Sequence, residues 1–473
     1  MALWSSEELK SITSGNVTGR FEVNGVSLDT RTLKPKDLFI AVKGSTDGHK
    51  YIKDAFSKGA SAVLVEKKPR DLSANCPILV VENSAYALSQ IGIAARKRCK
   101  AKVIAITGSV GKTSTKEMIK LALEGQGIIH AAEKSYNNHW GVPLTLANMP
   151  EMTNFAILEI GTSNPGEILP LAKMIRPDVA IITAIAEAHL AAFKSLKEIT
   201  KEKTSILSAL KENGFGIVNA DEDHLSFISE LVNPKIKTFG CTETADWKLH
   251  DIKFFNSKMI YKIRAEQETI YVKINALGVH HAMNSVAALC AIDCIGADLG
   301  RAVLKLGYWR PFDGRGTRTY LTLEDNSNKI DVVLVDESYN ANPASVRSAL
   351  DVLGVSKTPH PQGRKVAILG DMKELGPKEI LLHEKLVTCS AIEDISLVHC
   401  VGPLMQALFY KIPEIKKGLW SPDAEHFSVN LKKWIKSGDI IMVKGSLSTR
   451  MVLIVDAIKK LGHSIEHFDE EEL

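Results

Sequence analysis

The chain has 473 residues, 59 basic against 55 acidic side chains, a net charge of +4 and 45% hydrophobic residues. At roughly 150 residues per domain this length implies about three cores, and a charge so near balance argues against a nucleic-acid or other polyanion partner. No apolar run reaches bilayer length, and residues 1–8 lack a basic and apolar leader, so the expectation is a cytoplasmic protein with no membrane partner.

From Phe21 to about Glu82, short apolar strands at 38–42 and 62–65 are broken by Gly and Asp turns around a helix near 52–58, the pattern of a small α/β domain. A helix with Ile91, Ala94 and Ala95 on one face then ends in Arg96-Lys97-Arg98, which places a boundary near Cys99 and the first domain at residues 1–98. The seven cysteines form no C-x-x-C pair, and Cys290 and Cys294 lie one helical turn apart amid Ala and Leu. Buried free thiols are expected, not disulfides or metal ligands.

The apolar run Val103–Ile106 feeds Thr107-Gly108-Ser109-Val110-Gly111-Lys112-Thr113-Ser114, and an amphipathic helix continues from Lys116 to Leu123. Strand, glycine turn and helix together make a phosphate loop. Glycines let backbone N–H groups converge on phosphate oxygens at the helix N-terminus, Lys112 brings a cation to the outer phosphates, and the Thr113 hydroxyl can ligate magnesium. The loop is the shorter T-G-x-x-G-K-T-S type and not G-x-x-x-x-G-K-[ST], because Ile106 stands five before Gly111.

Continuous apolar strands at 155–159, 179–183 and 215–219 are of the kind buried on both faces of a parallel sheet. Such a phosphate loop needs a carboxylate for its magnesium, and Glu159 closes a strand at the sheet edge where α/β proteins bind ligands. His189 follows the next strand on the same edge. On the helix read from Leu196 to Leu210, Leu196, Ile199, Ile206, Leu207 and Leu210 form one stripe; Lys203 falls inside it and Lys201 points the opposite way. A lysine there must snorkel, pair or be modified.

Residues 247–275 switch to alternating patterns and predict antiparallel strands appended to the sheet, closed by a helix from His281 to Ile295. The Pro/Gly-rich stretch from Trp309 to Gly316 is a linker, so the middle domain spans 99–312 and the last 313–473. Strands at 331–336, 365–369, 397–401 and 440–443 build a second α/β sheet, and Asp469–Glu472 is an acidic, solvated tail. Between strand and helix, Asp336-Glu337-Ser338-Tyr339-Asn340-Ala341-Asn342-Pro343 can hydrogen-bond a ribose and an adenine edge; Asx turns and helix caps would account for its asparagines equally well.

With Asp29-Thr30-Arg31, Asp47-Gly48-His49, Tyr136-Asn137-Asn138-His139-Trp140-Gly141, Glu159-Ile160-Gly161, Ala188-His189-Leu190, Gly314-Arg315, Gly370-Asp371-Met372-Lys373-Glu374-Leu375-Gly376 and Val443-Lys444-Gly445-Ser446, these motifs resemble the Mur ligase family over essentially the whole chain. The resemblance implies a three-domain α/β fold: a small N-terminal domain for the UDP substrate, a central P-loop ATPase-like, mostly parallel sheet, and a C-terminal Rossmann-like domain. It implies an amide-bond ligase that uses ATP and Mg²⁺. The S-Y-N-A-N-P and G-D-M-x-E-L-G runs resemble the branch whose substrates are a UDP-muramoyl-tripeptide and D-alanyl-D-alanine. A monomer is expected.

By the same resemblance, Gly108, Ser109, Val110, Gly111, Lys112, Thr113 and Ser114 would bind ATP phosphates. Thr113 and Glu159 would share one magnesium, and Glu159, His189 and a carbamylated Lys203 would serve a second. Asn284, Arg315, Glu337, Asn340 and Asn342 would approach the nucleotide; Thr30, Arg31, Asp47, Gly48 and His49 would hold the uridine nucleotide, and Asn137 and Asn138 its diphosphate region. Three positions depart from the family pattern: Ala191 where H-L-E-G-F has its carboxylate, His281 where G-x-H-N has Asn, and Glu337 as the second acid of D-D-S-Y-N. The competing expectations are another branch of the family that adds a single amino acid, and a P-loop switch ATPase acting on a protein partner.

Overall fold

The computed structural model describes residues 2–465 except 45, 70, 71, 73–75, 232–234, 326, 327 and 430. The acidic run at 469–472 lies outside the described residues. Three sheets carry the molecule. The first has five strands in the order Asn16–Thr18, Ile78–Val80, Ala62–Val65, Asp37–Ile40, Gly25–Ser27, antiparallel only at the first pair.

The middle sheet has nine strands. Lys102–Thr107 lies between Val179–Ile182 and Phe155–Glu159, parallel to both, so the three chain segments that the sequence singles out end along one edge. Both faces of this strand are covered, which is why it lacks alternation. Ile104 and Ile106 pack in one core with Met118 and Ile119 of the helix Lys112–Ala122, while Val103 and Ala105 face a second core with Leu146, Leu171 and Ile199. Each fully buried isoleucine contributes about 1.5–3 kcal/mol, which fixes the strand and hence the loop after it.

The predicted antiparallel extension is present. Trp247–Phe255 runs parallel to Lys235–Gly240 on one side and antiparallel to Lys258–Ala265 on the other, with Glu268–Ile274 at the edge. In Lys258–Ala265, Met259, Tyr261, Ile263 and Ala265 are buried in alternation, the signature of a sheet with one wet face.

The third sheet orders seven strands as Lys417–Ser421, Leu397–Val401, Lys365–Gly370, Ile440–Lys444, Asn328–Glu337, Thr317–Asp325, Gly462–Ser464. Its hairpin of Thr317–Asp325 with Asn328–Glu337 begins directly after the linker and was not expected, because its first strand mixes Thr and Arg with Leu and gives no continuous apolar run. The helix read as running from Leu196 to Leu210 is α-helical only over Leu196–Thr204 and tightens to 3₁₀ over Ser205–Ala209. The hydroxyls of Thr200, Thr204 and Ser205 bond back to the carbonyls of Leu196, Thr200 and Glu202, a local competition that loosens an α ladder.

All seven cysteines are free thiols; Cys99, Cys290 and Cys400 are buried, whereas Cys241 is exposed, against the expectation of burial. Among the described residues no helix is long and apolar enough to cross a membrane.

Candidate active site

The phosphate loop turns on Gly108 and Gly111. Gly111 sits at φ 86°, and a Cβ there would lie 2.6 Å from Asn284 Oδ1, so neither the backbone angle nor the space admits a side chain. The loop is strapped to the segment after Val179–Ile182: Ser109 N–H donates to Ala184 O at 2.7 Å, Ser109 Oγ to Ala186 O at 2.9 Å, and Thr183 Oγ1 to Val110 O at 2.5 Å. Lys112 Nζ folds back on Gly108 O at 2.6 Å. Burial pushes its ammonium down to about 8, Glu159 opposes that and Arg315 adds to it. Thr113 Oγ1 lies 3.2 Å from Ser135 Oγ.

Glu159, His189 and Lys203 each lie within electrostatic reach of Lys112. Glu159 is 1% exposed; its Oε1 accepts from Asn137 Nδ2 at 3.0 Å and its buried Oε2 has no partner. A half-satisfied buried carboxylate is donor chemistry that suits a hard cation. His189 has φ 55° and its Nδ1 is 2.5 Å from Glu374 Oε2. Burial lowers its pKa, with Glu374 opposing and Lys112 and Lys203 contributing, so the imidazole is neutral at neutral pH.

Lys203 is 3% exposed, as the helical wheel requires, and Lys201 is exposed. Burial and the nearby Lys112 hold the Lys203 amine well below the usual lysine range. Its neighbour Glu202 does not pair with it, because that carboxylate accepts the N–H groups of Gly166 and Ile168 at 2.7 and 2.8 Å. Among the described residues no group of three or more His, Cys, Asp and Glu is arranged as a metal site.

The C-terminal domain forms the other wall of a cleft of about 930 Å³. Asp336 ties the linker to that wall, accepting Gly314 N–H, Ser338 N–H and Ser338 Oγ–H at 3.1, 3.0 and 2.6 Å. Arg315 lies over the Tyr339 ring, 4.2 Å from its centroid, which aims the guanidinium across the cleft. Glu337 is engaged by the buried Lys444, whose Nζ donates to Glu337 Oε2 and Asn340 O, each at 3.0 Å. Asn342 Oδ1 caps the helix Pro343–Val355 through Ser345 N–H at 2.8 Å, and Asn340 Oδ1 accepts Ala341 N–H at 2.9 Å. Both asparagine oxygens thus serve local turns.

His281 is buried, its ring tilted against those of His280 and Trp309 with centroids 4.0 and 5.0 Å away, and its Nδ1 is unpartnered; burial and His280 hold it well below its ordinary pKa. Glu222, unremarked in the sequence, lines the same cleft, accepts Ile185 N–H at 2.9 Å and is pushed by burial up to about 7.

The proposed uridine residues sit apart, on loops that follow strands of the first sheet. Arg31 forms a fork with Asp29 at 2.6–3.0 Å, Thr30 is buried, and His49 is held at both nitrogens, by Asp47 Oδ1 at 2.7 Å and Glu66 N–H at 3.1 Å. A Cβ on Gly48 would lie 2.8 Å from Val42 O, so this turn packs tightly on its strand. Asn137 and Asn138 line the cleft instead, on a loop whose other end, Trp140, covers Gly44 of the first domain.

Three family models match in succession: the Mur ligase catalytic-domain model over residues 22–106, the Mur ligase middle domain over 106–292 and the Mur ligase glutamate ligase domain over 322–447. A UDP-N-acetylmuramoyl-tripeptide–D-alanyl-D-alanine ligase of Rickettsia prowazekii is 32% identical across 96% of this chain and 99% of its own. The chain belongs to the Mur ligase family. Among solved structures, MurF from Acinetobacter baumannii superposes on this Mur ligase with a TM-score of 0.83 at 26% identity, covering 96% of this chain and 99% of that one. A MurF ligase from Thermotoga maritima in complex with ADP does so at 0.77 and 26%, over 92% and 97%.

Lys444, Lys373 and Glu374 have no role assigned by the sequence, although each stands in a motif that carries the Mur ligase resemblance. A lysine closing a buried strand, as Lys444 does, was the available signal.

Proposed function

We propose that this Mur ligase joins D-alanyl-D-alanine to UDP-N-acetylmuramoyl-tripeptide with hydrolysis of ATP, in the synthesis of peptidoglycan precursors. The observation that carries the reading is similarity along the full length of both chains to a ligase of that name. The domains divide the work at residues 1–98, 99–312 and 313–473, and the protein acts as a monomer in the cytoplasm.

A carboxylate does not acylate an amine at neutral pH because oxide would have to leave. The tripeptide carboxyl oxygen instead takes the terminal phosphoryl group of ATP, releasing ADP and forming an acyl phosphate. The dipeptide amine adds to that carbonyl, the tetrahedral intermediate expels phosphate, and the amine's proton passes to solvent or a nearby base. Two anions must meet in the first step, and Lys112 with the N–H groups at the start of Lys112–Ala122 offsets their repulsion. Thr113, Glu159, His189 and a carbamylated Lys203 would hold magnesium, which supplies further charge neutralisation at the transferring group. Asn284, Arg315 and Glu337 line the nucleotide's part of the cleft.

Phosphate release measured with UDP-muramoyl-tripeptide should depend on D-alanyl-D-alanine and stay at background with single amino acids. Release supported by one amino acid would assign another branch of the family, and brisk ATP hydrolysis without either small substrate would favour a switch ATPase.

The depressed pKa of Lys112 sets a pH dependence. In the free protein its ammonium discharges as pH rises through about 8, while bound phosphate favours the charged form. Affinity for a non-hydrolysable ATP analogue, followed by calorimetry, should therefore weaken above that pH by up to about tenfold per unit, and Lys112→Arg should flatten the profile. For folding the sign is opposite: between about 8 and the ordinary lysine value the unfolded chain binds more protons, so the destabilisation from this buried charge is relieved as pH rises.

A further inference from the structure

The segment from Ala188 to Phe193 belongs to the middle domain but docks on the C-terminal one. Phe193 is buried in the middle-domain core, whereas Leu190 packs against that core and the C-terminal core alike. Ala191 N–H donates to Glu374 O at 3.2 Å, and a Cβ on Gly376 would come within 3.2 Å of Ala191 Cα. His189 and Glu374 both have positive φ, 55° and 65°, and their side chains meet at 2.5 Å. Among the described residues His189 is the one ionisable partner of the Glu374 carboxylate.

A partly exposed histidine–carboxylate contact by itself is weak grounds for a role. Here the side-chain contact is accompanied by a backbone hydrogen bond, a shared apolar residue and a glycine that lets the two loops close. The same histidine lacks the carboxylate two residues on, where Ala191 stands. A carboxylate on Nδ1 keeps the proton there, fixes the ring plane and leaves the Nε2 lone pair for a ligand.

We propose that Glu374 is a positioning residue that reaches from the C-terminal domain to orient His189, so that docking of that domain completes the metal-binding set. This rests on the reading of His189 as a metal ligand. Glu374 supplies a carboxylate partner for His189 from the opposite domain, where position 191 of the histidine's own loop carries Ala. Because it sits on the opposite domain, His189 is correctly oriented only when the two domains are together.

The test uses full-length protein with a non-hydrolysable ATP analogue and Mn²⁺ as a paramagnetic probe. Glu374→Ala should weaken Mn²⁺ binding by about 10–100-fold and lower kcat by a similar factor, with KM for ATP little changed. Glu374→Gln, whose amide oxygen can still accept the hydrogen bond from Nδ1–H, should lie between that variant and wild type. Nitrogen-15 spectra should show His189 as the Nδ1–H tautomer in wild type and as a mixture in Glu374→Ala. Unchanged Mn²⁺ affinity and tautomer in Glu374→Ala, with His189→Ala clearly weakened, would overturn the proposal alone. Unchanged Mn²⁺ affinity in His189→Ala would overturn the metal-ligand reading beneath it.

Discussion

Replacing Lys112 with alanine is expected to lower ligation by about 10²–10³, or roughly 3–4 kcal/mol of transition-state stabilisation. The size follows from where the ammonium sits. It is attached to the first residue of the helix Lys112–Ala122, within the influence of Glu159 and Arg315, in surroundings that already depress its pKa to about 8. A charge in such a place is poorly screened, so its interaction with a phosphoryl group gaining contact with a second anion is much stronger than in water. The loss should fall mainly on kcat if the ammonium acts on the transferring group, and on KM for ATP if it only holds the nucleotide. Steady-state kinetics of phosphate release separate the two. A variant that folds normally and ligates within a few-fold of wild type would remove Lys112 from the mechanism.

Lys203→Ala is expected to cost about as much, and for a different reason. The amine is buried, held well below its usual pKa by burial and by Lys112, and its neighbour Glu202 is occupied by two backbone N–H groups. A neutral amine there can add to carbon dioxide: an N–C bond forms, a proton leaves, and the product is a carbamate anion. That converts an unpaired base into the carboxylate-like donor that Glu159 and His189 lack. Removing bicarbonate should therefore slow wild-type enzyme, and short carboxylates such as acetate or propionate should restore part of the activity of Lys203→Ala but not of Lys112→Ala. An intact-mass increment matching one carbon dioxide, lost on acidification, would mark the modification directly. Full activity of Lys203→Ala in carbonate-free buffer would refute it.

Much of this site was legible because its parts obey local rules. A phosphate loop must have glycine where φ is positive and a buried strand before it, and Gly108, Gly111 and Val103–Ile106 satisfy both. Lys203 could be picked from Lys201 because a helix has a fixed period and an apolar face leaves few exits for a charge. What escaped depended on contacts between distant segments. Glu374 is 185 residues from His189, and nothing in either local pattern specifies their meeting. Lys444 against Glu337 is the same kind of case, set by the pairing of two strands far apart in the chain. The role of Asn342 was open in sequence because capping a helix and binding a base use the same amide; the hydrogen bond to Ser345 shows its oxygen at the cap.

The straps on the phosphate loop bear on how nucleotide affinity is built. Ser109 and Thr183 hold the loop to the neighbouring strand end through hydrogen bonds internal to the protein. An incoming polyphosphate therefore meets a receptor that is preorganised, and little of its binding energy goes to ordering backbone. Severing a strap should thus weaken the ligand by loosening the loop, an entropic loss with every phosphate-contacting group still present. Such a change would be visible as a larger unfavourable binding entropy and not as a missing contact.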